Sequence, residues 1–192
     1  MKLVLVAALA ALALAGCGGS GASSQAPQAG GQPAVAGSRH VPSTLKIASL
    51  GVSATVEQVG VDGDGNMAIP ADPHDVGWYA PGAAPGEHGN AVIDGHLDWY
   101  GMPQGPFHRL DALHAGDEIG VKAADGTTFV FQVSGPATAV PATARPSGLF
   151  STTGSPTLTL ITCGGQWDAS QHSYTERHLV NAKLASEHGN GP

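Results

Sequence analysis

The chain has 192 residues, 42% of them hydrophobic and only 12% charged, with a formal net charge of −7. No basic patch and no interleaving of aromatic with basic residues is present, which argues against a nucleic-acid partner. With the N-terminal stretch set aside, about 140–150 residues remain, enough for one domain with a real core.

The first predicted element is a targeting segment. "MKLVLVAALAALALAGC" carries a positive Lys2 and an apolar run from Leu3 to Ala15. That run is shorter than the roughly 20 residues a spanning helix needs and fits the apolar region of a signal peptide. Leu14-Ala15-Gly16-Cys17 resembles a bacterial lipobox, which implies cleavage before Cys17 and lipidation of its thiol. Acyl chains contribute about 0.8 kcal/mol per buried CH₂, so two or three of them hold a protein on a membrane surface. An ordinary secretory signal with a chance cysteine is the alternative. The expected location is extracytoplasmic, with a lipid anchor on the cell membrane.

"GGSGASSQAPQAGGQPAVAGSRHV" follows, rich in Gly, Ser, Gln and Pro, and reads as a flexible tether. The expected organisation is a signal peptide over 1–16, the anchor cysteine and linker over 17–41, one folded domain over 42–186, and a tail over 187–192. Within the domain the pattern predicts strands at Leu45–Ser49, Ala54–Val59, Met67–Ile69, Asn90–Gly95, Glu118–Ala123, Thr127–Ser134, Thr138–Val140, Thr157–Cys163 and His178–Leu184. Turn signals separate them, including "DGDGN" and the Asp125-Gly126 pair of a hairpin. One short helical piece is expected around Gln104 to Leu113. Many short strands with Gly/Pro turns predict an all-β barrel or sandwich.

The chain has two cysteines. If Cys17 carries lipid it cannot form a disulfide, and Cys163 is left as a lone thiol in an oxidising compartment. Cys163 ends the strand "TLTLITC", where Leu158, Leu160 and Thr162 point one way and Thr157, Thr159, Ile161 and Cys163 the other. Two glycines follow, which let the chain turn sharply and leave space beside the sulfur. A buried cysteine that serves as a small hydrophobe is the ordinary alternative.

A nucleophilic thiol needs a nearby cation or base, and acyl transfer needs stabilisation of an oxyanion. Arg177 is the only arginine after Cys163. If the last two strands pair antiparallel, Arg177 and Cys163 face each other about 5 Å apart in the backbone; an exposed arginine paired with Glu176 or Asp168 is the alternative. Of the nine histidines, His96 stands out because "AVIDGH" places it just beyond a strand end, on a rim. Asp94 or Asp98 is a candidate to orient its ring. No HxH, HExxH or CxxC spacing supports a metal site, and no cofactor is expected.

"AVIDGHLDW", "TLITC" and "YTERHLV" resemble the His, Cys and Arg motifs of sortases, and order and spacing over roughly 45 to 185 are similar to the class F sortases of actinobacteria. The resemblance implies a sortase-type eight-stranded β-barrel with short helical connections. It also implies Cys163 as nucleophile, His96 as general acid/base and Arg177 as the group that positions substrate and stabilises the oxyanion. The implied reaction cleaves an LPxTG-like sorting signal on a secreted protein. The acyl group then passes to an amine acceptor, a peptidoglycan precursor or another amine.

Two other functions stand beside it. An L,D-transpeptidase also uses Cys, His and Arg, but its S-H-G-C-type element is absent here. A non-catalytic or purely hydrolytic sortase-like lipoprotein that acts as a binding module is the other. An active-site Cys163 is expected to label with thiol reagents faster than a free thiol at mildly acidic pH, whereas a core cysteine is not.

Overall fold

The computed structural model describes residues 39–189. The signal segment, Cys17 and nearly all of the tether lie outside the described residues. Nine strands form: β1 (Pro42–Ile47), β2 (Val52–Val59), β3 (Val76–Tyr79), β4 (Asn90–Gly95), β5 (Glu118–Ala123), β6 (Thr128–Val133), β7 (Thr138–Pro141), β8 (Thr157–Asp168) and β9 (Ser173–His188). The only helical pieces among the described residues are 3-10 turns at Ala48–Leu50 and Leu110–Ala112.

The strand order is β6-β5-β1-β2-β3-β4-β8-β9, and β6 pairs back onto β9, so eight strands close into a barrel. β7 adds to the first half of β9 from outside that ring. The pairs β2–β3 and β4–β8 are parallel and the rest antiparallel. Closure leaves few free edges. The parallel β4–β8 pair also carries His96, just beyond β4, and Cys163, within β8, toward the same end of the barrel.

Alternation decides which side chains fill the interior. Leu45, Ile47, Trp78, Ile93, Phe131 and Leu160 are fully enclosed there. Each such side chain contributes roughly 1.5–3 kcal/mol relative to exposure. The residues between them face outward: Gly77 and Tyr79 on β3, Asp94 on β4, Ile161 and Cys163 on β8. The site is therefore built on the outer face of the barrel, and the interior is packed core.

The last strand runs from Ser173 to His188, longer at both ends than expected, and four other elements also differ from the sequence expectations. Met67 forms an isolated bridge with Val61 instead of a strand at Met67–Ile69. The helical piece shrinks to Leu110–Ala112, because Gly105 and Pro106 stand at its expected start. β3 goes unpredicted; four residues are too few for a periodic signal, and pairing with β2 and β4 holds it. Finally, β8 does not turn after Cys163. It runs on to Asp168, with a register shift between Gly164 and Trp167 and Gly165 at φ 73°. A Cβ at Gly164 would lie 2.4 Å from the His178 ring, so this glycine makes room for a histidine rather than a turn.

Candidate active site

Cys163 on β8 and Arg177 on β9 are direct partners in the antiparallel register. Thr162, inward of Cys163, pairs with His178, which puts His178 on the opposite face from Arg177. The Arg177 guanidinium is steadied by backbone rather than by carboxylates. Its Nη1 donates to the carbonyls of Glu176 (2.9 Å) and Tyr174 (3.3 Å), and its Nη2 to Ser173 Oγ (3.4 Å). No ion pair of Arg177 occurs among the described residues. The alternative of a surface arginine tied to Glu176 or Asp168 is thereby excluded.

His96 arrives from the neighbouring strand. β4 and β8 run parallel, with Asp94 beside Ile161, so two residues further on His96 comes level with Cys163. Thr162 Oγ1 donates to the Gly95 carbonyl at 2.8 Å, which joins the residues that precede Cys163 and His96. The His96 carbonyl accepts from the Phe107 amide at 3.0 Å. Gly105 packs against the same peptide so closely that a Cβ there would sit 2.2 Å from that oxygen. The ring itself lies 4.7 Å from the Trp99 ring, centroid to centroid.

All three candidates line one open groove of ≈ 880 Å³ on the barrel's outer face. Its floor carries Asp94 and Ile161. The β2–β3 connection contributes Met67 and Ile69, and the β7–β8 connection contributes Arg145 and Phe150. The two walls touch where Arg145 Nη2 donates to Asn66 Oδ1 at 2.6 Å, and Phe150 packs on Tyr79 with centroids 4.5 Å apart. Asn90 Nδ2 holds the second wall in place through the Leu149 carbonyl (2.6 Å) and also donates to Thr159 Oγ1 (2.9 Å).

The Sortase domain family pattern matches residues 45–185. The chain belongs to the sortase family. Among solved structures it is similar to the SrtA sortase of Actinomyces oris, at 28% identity and a TM-score of 0.58, over 77% of this chain and 81% of that one. Sortase A from Corynebacterium diphtheriae is 20% identical, with a TM-score of 0.59, over 80% of this chain and 65% of that one. A variant of sortase E from Streptomyces avermitilis is 23% identical, with a TM-score of 0.55, over 80% and 96%. These last two show the shared fold. No curated protein sequence matches the chain.

Electrostatics of this sortase's groove favour a neutral resting pair. Burial pushes the Cys163 thiol up; Arg177 pulls it back, while Asp94 and Asp98 push it further up. Burial pushes the half-buried His96 down, opposed by Asp98 and the Pro70 carbonyl. For the Cys163 thiol, desolvation outweighs the single guanidinium. Neither Asp94 nor Asp98 hydrogen bonds the His96 ring. Asp98 instead accepts from the Tyr174 hydroxyl at 2.5 Å, a contact that raises the Tyr174 pKa to about 12.

Several contributors had no signal in the sequence. Glu57 accepts from the Ala71 and Asp72 amides at 3.0 and 3.1 Å and so fixes the backbone just after Pro70, whose carbonyl acts on His96. Tyr174 belongs to β9, eleven residues after Cys163 by number, yet it binds the loop that follows His96. Only Gly105, next to Pro106 in an otherwise helical stretch, could have been flagged as a special backbone position.

Proposed function

We propose that this sortase cleaves an LPxTG-like sorting signal through a thioester on Cys163 and transfers the acyl group to an amine. The observation that carries the reading is the direct pairing of Cys163 with Arg177 along the groove that His96 also lines. In the first step the Cys163 thiolate attacks the threonine carbonyl carbon. Arg177 N–H groups donate to the oxygen as it gains charge. His96, protonated, gives its proton to the departing glycine amine as the C–N bond breaks. In the second step neutral His96 takes a proton from the incoming amine, which attacks the thioester and expels the Cys163 sulfur. Water in place of the amine gives hydrolysis.

With Cys163 pushed up and His96 pushed down, most molecules at neutral pH hold a thiol and a neutral imidazole. The reactive thiolate–imidazolium form is a minority. Substrate that displaces water from the groove strengthens the attraction between those two charges.

The proposal extends to the envelope. The lipobox-like sequence before Cys17 supports a lipid anchor on the outer face of the cell membrane, and the motif spacing supports kinship with class F sortases. The donor is then a secreted protein with a C-terminal sorting signal. The acceptor is an amine at the cell wall.

The test is mass spectrometry of protein that begins at Arg39, the first described residue, incubated with LPxTG-type peptides with and without an amine. A covalent adduct of the peptide's acyl part on Cys163, discharged by amine, is expected. Cys163→Ala should form no adduct while its thermal unfolding stays nearly unchanged. Cleavage by that variant at the wild-type rate overturns the proposal, and intact peptide with the wild-type protein favours a binding module.

A further inference from the structure

Asp94 is a carboxyl in the wrong place for a structural residue. It stands on the outward face of β4, two residues before the level of Cys163 and His96, and lines the groove beside Ile161. Its Oδ1 is buried without a hydrogen-bond partner, the single such side-chain atom among the described residues. The space it occupies exists only because residue 77 is glycine. A Cβ there would lie 2.5 Å from Oδ1 and 3.0 Å from Val59 Cγ1. Leaving a buried polar group unpaired costs roughly 1–3 kcal/mol, and such groups in native structures call for an explanation. The residue as a whole remains partly open and lines the groove.

We propose that Asp94 is a peptide-positioning residue of this sortase, which hydrogen bonds through its carboxyl to the acyl-side backbone of the bound substrate about two residues before the cleaved bond. This rests on the reaction assigned above. Two residues along a strand span about 6–7 Å, so an extended peptide with its scissile carbonyl at Cys163 presents its second peptide unit over Asp94. That peptide's carbonyl loses water on entering the groove and needs a donor. Ile161 beside it has none, and Arg177 is committed to the scissile carbonyl.

An undissociated carboxyl supplies the donor. Burial, with Glu57 across Gly77 adding like charge, raises the Asp94 pKa to about 8, while the Asp94 and Gly77 amides pull the other way. The charged and titratable groups around it are Glu57 on β2, Tyr79 on β3, His96 and Asp98 beyond β4, Cys163 on β8 and Arg177 on β9, with Asp62 and Arg145 on the groove walls. Ionisation at higher pH removes the O–H donor and sets a negative charge against the incoming carbonyl. The KM for peptide then rises.

The test is steady-state kinetics of the purified protein with an LPxTG-type peptide, across a pH range that spans 8. Asp94→Ala should raise KM roughly three- to tenfold at neutral pH, with kcat changed less. Asp94→Asn keeps an N–H donor and cannot ionise, so it should recover most of that loss and abolish the alkaline rise in KM. An unchanged KM in Asp94→Ala, or an undiminished alkaline rise in Asp94→Asn, overturns the inference. A wild-type protein that forms no acyl adduct overturns the reaction itself, and the inference falls with it.

Discussion

The Thr162 hydroxyl donates to the Gly95 carbonyl, a side-chain bond that adds to the β4–β8 ladder between the residues that precede Cys163 and His96. Thr162 is buried, and its side chain points inward while its neighbour Cys163 points into the groove. Thr162→Val keeps the shape and deletes the donor. The loss leaves a carbonyl unpaired, so the variant should be less stable by about 1–3 kcal/mol. For a domain of this size Tm falls about 2–4 °C per kcal/mol. Differential scanning calorimetry reads the loss, and kcat should fall with it because both reacting groups shift.

Arg177 acts through position as well as charge. Its three hydrogen bonds to Tyr174, Glu176 and Ser173 set the plane of the guanidinium, and a lysine cannot reproduce that fork. Arg177→Lys should lower kcat about 10²–10³-fold, the usual cost of losing an oxyanion donor. Arg177→Gln also removes the cation that pulls the Cys163 thiol down. Alkylation of Cys163 by iodoacetamide at neutral pH should then be slower in this variant than in wild type.

The two opposed shifts predict the pH profile. His96 is held down, so the acid limb of kcat/KM should lie below the ordinary imidazole range; Cys163 is held up, so the alkaline limb should lie above the ordinary thiol range. Asp98 pushes both groups up. Asp98→Asn should therefore move both limbs towards acid, and a profile that moves at one limb only would contradict the shared influence of Asp98.

Gly105→Ala is a probe of how His96 is held. The added Cβ would meet the His96 carbonyl at 2.2 Å and the His96 Cβ at 3.0 Å, and backbone cannot yield as a flexible side chain can. Overpacking of this kind costs roughly 1–3 kcal/mol. The catalytic loss should exceed what the stability change explains, since a displacement of about 1 Å at a reacting group can cost 100-fold.

Stability should also report on Asp94. A carboxyl whose pKa is raised on folding binds a proton that the unfolded chain has released, so stability falls as pH rises from the ordinary carboxylate range to about 8. Asp94→Asn removes that dependence. Its Tm should exceed wild type by at least about 3 °C near pH 8 and by less in acid.

Most of the fold was legible because alternation is a local property. Leu158 and Leu160 inward with Cys163 outward follows from a period of two, and the pairing of Cys163 with Arg177 follows once β8 and β9 are antiparallel neighbours. The site triad could be named from motifs. Its support could not: Glu57, Gly77 and Tyr174 act on the site's backbone and side chains from separate places along the chain. Asp94 shows the limit most clearly. In sequence it stands two residues from His96 and reads as one of two candidates, with Asp98, to orient that ring, whereas in the barrel it leans over Gly77.

The sequence by itself determined the strand faces, the family motifs and the three residues proposed for the chemistry, because each depends on spacing over a few residues. Only the tertiary structure decided that burial pushes the thiol up, that Asp98 grips Tyr174 and that one carboxyl oxygen of Asp94 lies buried and unpaired beside the groove. Those outcomes depend on how much water is excluded and which strands become neighbours, and closure of the barrel sets both.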